Sequence, residues 1–269
     1  MLIESFRALI LGIIEGITEW LPISSTGHMI LANSFMNNSE SFTSNELFIY
    51  VIQFGAILAV VTMYFKKLNP FSPSKNSHEK KSTWNMWFKV IIACLPAAVI
   101  GLLLDPIMEK FEEPYLISVM LIIYGILFII IESINKQPKI NDMKEMTYKT
   151  ALLIGMFQVL SIIPGTSRSG ATILGAIILG CSRTIAAEFS FFLAIPVMVG
   201  VSALKILGNL EYMTGENIVI LLIGMIVAYI VSMLSIKMLT EFVKKHNFKC
   251  FGWYRIALGV VVIIYFMFI

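Results

Sequence analysis

Charge is what this sequence has least of: Asp, Glu, Lys and Arg make up 14% of its 269 residues, against about 25% in soluble domains. With 58% hydrophobic residues and a mean hydropathy of +0.84, that shortage excludes a water-soluble fold. Alternating polarity is missing too. The apolar runs are far longer than the ~9–11 residues of a barrel strand, so the membrane segments are helical. No basic run is large enough to suggest nucleic acid outside short loops, where topology explains it better. The three cysteines, Cys94, Cys181 and Cys250, are widely spaced, form no Cys-x-x-Cys pair and read as packing residues or inert thiols. The N-terminus does not read as a signal peptide. Glu4, Arg7, Glu15 and Glu19 interrupt it and no small-residue cleavage site follows, so it is expected to belong to the mature fold.

Six segments are long enough to cross a hydrocarbon core of ~30 Å. They run approximately over 46–65, 86–105, 115–133, 184–205, 217–237 and 251–269. Two further apolar regions are broken: 5–36 at Pro22, and 150–180 at Pro164-Gly165. Their arms of roughly 10–16 residues are too short to span and predict re-entrant helix–turn–helix hairpins, tolerated where protein or a water-filled cavity surrounds them. Residues 66–85 read as a flexible polar loop of Ser, Asn, Pro and Lys.

Loop charges set the orientation. Lysines gather between the first two spans (Lys66, Lys67, Lys75, Lys80, Lys81), after the third (Lys136, Lys139, Lys144, Lys149) and after the fifth (Lys237, Lys244, Lys245, Lys249). The alternate connections are acidic: Glu40 and Glu46; Asp105, Glu109, Glu112 and Glu113 against Lys110; Glu211 and Glu216 against Lys205. The positive-inside rule puts the lysines in the cytoplasm and both termini outside. The order is hairpin plus three spans, twice over, within one membrane domain of residues 1–269. The halves are 1–133 and 150–269. Gly12-Ile-Ile-Glu15 echoes Gly155-Met-Phe-Gln158; Leu21-Pro22 with Ser24-Ser25 echoes Ile163-Pro164 with Ser167 and Ser169; Ala93-Cys-Leu-Pro96 resembles Leu193-Ala-Ile-Pro196. With three spans per half, the expected architecture is an all-α inverted-topology repeat, whose usual binding site lies at the midplane between the repeats.

Ionisable residues at bilayer depth are costly, about 2.5–3.5 kcal/mol each on insertion scales, and by default mark function. Glu15 and Glu19, four apart, share one helix face. Two carboxylates that close repel each other unless a cation intervenes, and hard oxygen ligands suit Mg²⁺ or Ca²⁺. The alternative is a structural role, with one or both protonated or paired to Arg168 or Arg7. Ser24, Ser25, Thr26 and His28 follow Pro22. One hydroxyl would serve as a helix cap; the others, with His28, could provide a nucleophile and its base, or His28 could itself attack phosphorus. Pro164-Gly165-Thr166-Ser167-Arg168-Ser169-Gly170-Ala171-Thr172 is a small-residue turn opening a helix. Its glycines admit close backbone approach, its N–H groups favour an anion, and Arg168 adds bidentate phosphate recognition. It lacks the Lys and the spacing of a P-loop, and the alternative is a capped helix start whose Arg168 pairs with Glu15 or Glu19. Gln53, Gln158 and Glu188 fit interhelical hydrogen bonding at least as well as catalysis.

At these residues the chain resembles the undecaprenyl-diphosphate phosphatases of the bacitracin-resistance type. The first family motif reads here Glu15-x-x-x-Glu19-Trp-Leu-Pro-Ile-Ser-Ser-Thr-Gly-His28, and the second reads Pro164-Gly-Thr-Ser-Arg-Ser-Gly-Ala-Thr172. The stretches Ile52-Gln53-Phe-Gly55-Ala-Ile and Phe192-Leu-Ala-Ile-Pro196 also resemble family segments. The resemblance implies a bacterial cytoplasmic-membrane hydrolase of undecaprenyl diphosphate. It further implies a divalent cation, a site reached from the outer face, and bacitracin resistance. Together these readings assign metal binding to Glu15 and Glu19. They assign phosphate binding to Gly165, Ser167, Arg168, Ser169 and Thr172, and catalysis to Glu19, Ser25, His28 and Arg168. Ser25 is the first choice of nucleophile and His28 the second. The rival from another class is a secondary transporter or flippase for a phosphorylated prenyl lipid, since inverted repeats with broken helices are carrier architecture. Homodimerisation stays open.

Overall fold

The computed structural model describes residues 1–36, 41–108, 111, 113–134 and 137–268. The loop charges Glu40, Glu109, Lys110, Glu112 and Lys136 lie outside the described residues, as does the side chain of Asp105. The chain is helical, with a single isolated bridge between Ile140 and Cys181 among the described residues. In order the helices are α1 (Leu2–Thr18), α2 (Ser25–Phe35), α3 (Glu46–Met63), the short α4 (Phe65–Leu68), α5 (Ser77–Met108), α6 (Pro114–Ser133), α7 (Tyr148–Val159), α8 (Arg168–Ile178), α9 (Arg183–Gly208), α10 (Gly215–Lys245) and α11 (Lys249–Met267). Six of them, α3, α5, α6, α9, α10 and α11, are long and apolar enough to cross a membrane. Along α10, Ile226, Ile230 and Leu234 stand exposed at i, i+4, i+8, the stripe a helix presents to lipid.

Residues 77–85 correct the expectation of a flexible loop over 66–85: they are the first turns of α5. The cause is a capping box. Glu79 N–H donates to Asn76 Oδ1 at 2.9 Å, and Asn76 N–H donates back to Glu79 Oε2 at 2.8 Å, which satisfies two orphan donors and starts the helix there. At its far end α10 also outruns the expected 217–237, carrying Lys237, Lys244 and Lys245 as helical residues.

The two broken regions fold as helix pairs. α1 has 17 residues, α2 11, α7 12 and α8 11, so each is shorter than the ~30 Å apolar slab at ~1.5 Å per residue. α2 and α8 begin alike. Ser24 (φ 71°) and Ser167 (φ 72°) are the only non-glycine residues with positive φ among those described. Each caps its helix by accepting the N–H three residues on, from Gly27 at 3.4 Å and Gly170 at 3.1 Å. The same offset relates Gly12 to Gly155 and Glu15 to Gln158, and it leaves Pro22 and Pro164 one residue out of step.

Small residues let these half-length helices seat on long ones. α1 lies on α10 and α7 on α5. A Cβ at Gly12 would sit 2.7 Å from the Gly224 carbonyl oxygen, and one at Gly155 would strike the Ala93 carbonyl. α6 and α11 meet glycine to glycine, Gly125 against Gly252. Such approach is how apolar helices gain packing energy where lipid removes the hydrophobic drive. Gly155→Val is expected to destabilise the protein by about 1–3 kcal/mol through overpacking, read as a lower unfolding midpoint in detergent. Gly101→Ala, where an added Cβ meets open space, should leave that midpoint unchanged.

Candidate active site at the joined helix tips

Glu15 and Glu19 project from the last turn of α1. Glu19, its C-cap, keeps helical dihedrals (φ −67°, ψ −39°) and donates its N–H to the Glu15 carbonyl at 3.0 Å, so the two carboxylates share one face as their spacing predicted. Glu15 is fully buried, and neither carboxylate oxygen has a hydrogen-bond partner among the described residues. Arg7 pairs with Glu4 at 2.7 Å.

Glu19 is the meeting point of the two tips. Its Oε1 accepts from Arg168 Nη2 at 2.9 Å, and its Oε2 accepts from Ser25 Oγ at 3.0 Å. Arg168, the first residue of α8, also donates Nη1 to the Ser190 carbonyl at 2.9 Å, while its Nε is buried with no partner among the described residues. Ser169 Oγ donates to the backbone carbonyls of Glu19 (3.1 Å) and Leu21 (3.3 Å). Acid, hydroxyl and guanidinium therefore stand in one chain, Ser25–Glu19–Arg168. Buried charges of this kind persist when paired and hydrogen-bonded.

His28 sits one turn into α2 with both ring nitrogens engaged. Nδ1 lies 2.7 Å from the Ser24 carbonyl, which can only accept, so Nδ1 carries the proton. Nε2 lies 2.7 Å from the Tyr254 hydroxyl, and the two rings are stacked at 5.6 Å.

The other members of the second motif are tied into the protein. Ser167 Oγ caps α8 and contacts Ser169 Oγ at 3.2 Å. Thr172 Oγ1 donates to the Arg168 carbonyl at 2.9 Å and meets Ser190 Oγ at 2.7 Å. Gly165 has φ +87°, where a side chain would be strained, and a Cβ there would lie 2.6 Å from the Ile117 backbone. Its carbonyl, with that of Thr166, accepts from Arg255 Nη2, each at 3.0 Å. Arg168 and Ser169 reach across to the first tip; Ser167, Thr172 and Gly165 build the turn that presents them.

Arg255 was not anticipated from the sequence. It is fully buried in α11, bonds both carbonyls of the second tip and donates Nη1 to the Pro22 carbonyl of the first at 3.2 Å. It lies 5.5 Å from the Tyr124 ring centroid. A signal was there to read: Arg255 is the only charged residue in the run 251–269, and an ionisable group in such a run deserves the same inference as Glu15 or Arg168. Ser190 and Tyr254, ordinary residues within apolar helices, carried no such signal. Removing the Arg255 donors while leaving the buried carbonyls of Pro22, Leu121, Gly165 and Thr166 should cost about 3 kcal/mol. Arg255→Met is therefore expected to lower the unfolding midpoint and to speed amide exchange over 20–25 and 163–168, with Arg255→Lys intermediate. Unchanged exchange in both tips would refute the stapling role.

The comparisons with known proteins supply the family. The profile described as "Bacitracin resistance protein BacA" matches residues 8–261. Among curated proteins, the chain is 57% identical to an undecaprenyl-diphosphatase of Desulfitobacterium hafniense, over 98% of this chain and 97% of that protein. It is 58% identical to one of Latilactobacillus sakei, over 96% of each, and 57% identical to one of Enterococcus faecalis, over 98% of each. With the two motif segments joined at Glu19–Arg168 and relatives matched nearly end to end, the chain belongs to the BacA bacitracin-resistance family.

Proposed function

We propose that this multi-pass membrane protein hydrolyses undecaprenyl diphosphate to undecaprenyl phosphate and inorganic phosphate, recycling the cell-wall lipid carrier and conferring bacitracin resistance. The observation that carries the reading to named residues is the Ser25–Glu19–Arg168 chain, with contacts of 3.0 and 2.9 Å. The N-terminal amides of α2 and α8 open beside it and favour an anion.

Ser25 is the nucleophile. Its Oγ bonds to the terminal phosphorus while its proton passes to Glu19. The bridging P–O bond breaks, and undecaprenyl phosphate leaves with the electron pair. Glu19 hands the proton to the leaving phosphate and then takes one from water, which attacks the phosphoserine; the P–Oγ bond breaks, Glu19 returns the proton to Ser25 Oγ, and inorganic phosphate is released. Arg168 holds the phosphoryl oxygens as charge develops. His28, bonded on both nitrogens, positions the start of α2; as nucleophile it would first have to part from Tyr254.

A divalent cation fits the acids. Glu15 has two buried carboxylate oxygens with no partner among the described residues, the hard donors that Mg²⁺ or Ca²⁺ takes. Glu15 and Glu19 would hold it, and it would supply charge neutralisation and polarisation of the phosphoryl group.

We also read α1–α2 and α7–α8 as re-entrant hairpins of an inverted repeat, 1–133 and 150–269, with the lysine-rich loops cytoplasmic and both termini outside. The twin serine caps support this, as does the pairing: α1 on α10 and α7 on α5 exchange under the repeat, and α6–α11 and α3–α9 map onto themselves. The carrier reading is not favoured, because the relatives are named as diphosphatases.

Purified protein should release phosphate from a prenyl diphosphate. Arg168→Ala and Glu19→Gln are each expected to lower kcat by about 10²–10³-fold, and Ser25→Ala to remove the phosphoenzyme. Undiminished turnover in Arg168→Ala would sink the assignment. Chelation should stop turnover, and Glu15→Gln should raise the cation concentration needed to restore it; equal requirements in variant and wild type would remove Glu15 from the metal site.

A further inference from the structure

A cavity of about 380 Å³ opens on the lysine-rich face, away from the joined tips, where the start of α5 meets the segment before α7. Lys67, His78, Lys81, Lys89 and Lys144 line it, with Asp142 as the one acid. Of the neighbouring acids, Glu188 offsets one lining lysine and the others hold backbone N–H groups. Glu188 pairs with Lys67 at 2.7 Å. Asp142 Oδ1 accepts the Lys144 N–H at 2.8 Å, and Glu145 accepts those of Asn141 and Asp142. Glu79 holds the Asn76 N–H in the capping box. Lys81 and Lys144 form no ion pair among the described residues. Buried Lys89 directs its ammonium at the carbonyls of Met143 (2.9 Å) and Lys144 (3.3 Å). An ammonium has three donors, so one remains. The cavity is a socket that keeps a net positive charge, Lys81, Lys89 and Lys144 against Asp142, with Lys67 offset by Glu188.

Its position says what fills it. On the adjoining face of α5, Trp84, Phe88, Ile91 and Leu95 stand exposed at spacings of four, three and four, one continuous stripe on a helix. Phe71 packs edge-on to Trp84 at 5.6 Å. Exposed Trp at the end of an apolar span marks headgroup level, so the socket opens at the depth of lipid phosphates. By helical rotation Lys81 lies between the socket and the stripe. We propose that this socket binds the phosphate headgroup of an anionic membrane lipid, with an acyl chain along Trp84–Leu95. The mode is a basic pocket beside a transmembrane helix, which favours anionic headgroups. Free inorganic phosphate would use the lysines but leave the apolar stripe unexplained. The site is independent of the hydrolytic reading.

Fluorescence quenching tests it on the full chain in phosphatidylcholine vesicles. One set carries brominated phosphatidylglycerol and another, at equal mole fraction, brominated phosphatidylcholine. The anionic lipid should quench more strongly, and Trp84→Phe should remove most of that difference. Lys81→Glu combined with Lys144→Glu should reduce the preference about tenfold, with phosphate release from a prenyl diphosphate retained as evidence of folding. Equal quenching by the two lipids, or a preference that survives the double variant, overturns the proposal. So does a preference erased by added inorganic phosphate but not by chloride at equal ionic strength, since the ligand would then be a soluble phosphate.

Discussion

One ion pair holds the functional architecture together. Arg168 and Glu19 are 149 residues apart in the chain and 2.9 Å apart in space, in a region where neither charge could be left alone. Desolvating a single carboxylate or guanidinium costs several kcal/mol, and breaking such a pair is worse than never having built it. The pair therefore does more than join two segments. It requires that the two broken helices end side by side, with each tip turned toward the other, because separating them would leave both charges buried without a partner.

That placement has a local cost. Ser24 and Ser167 adopt φ near +70°, a region unfavourable for residues with a Cβ, which persists only when surrounding structure over-determines it. The determination is visible. Each serine caps the helix it opens, and Arg255 gathers the carbonyls of Pro22, Gly165 and Thr166 that the turns leave without helical partners. Inside a bilayer every backbone polar group must find its partner in the protein, and one buried arginine serves three of them. The strained turns, their caps and the staple form a single device that aims two helix N-termini at one place.

The same economy of charge organises the lysine-rich face. There the carboxylates are turned to backbone N–H groups and helix starts, as in the Asn76–Glu79 box, so the lysines keep much of their field. At the helix tips Glu19 and Arg168 neutralise each other; on the lysine-rich face Lys81 and Lys144 have no acid partner among the described residues. The two regions differ less in composition than in where their acids are spent.

Much of this was legible from the residues alone. Apolar length decides that α3, α5, α6, α9, α10 and α11 can cross a membrane, since ~1.5 Å per residue against ~30 Å of hydrocarbon admits little else. Pro22 and Pro164-Gly165 dictate where the two remaining apolar regions break, and the i, i+4 spacing of Glu15 and Glu19 places both acids on one face. These are local constraints, readable within a few turns of chain. Only the tertiary structure decided that Glu19 takes both Ser25 and Arg168, that Thr172 meets Ser190 in the interior, and that Tyr254 and Arg255 arrive from the last helix to hold His28 and both turns. Those partners come from elements far apart in sequence, and no periodicity encodes them. They follow from which helix faces pack, and that is settled by small residues such as Gly12, Gly125 and Gly155 admitting a neighbouring backbone.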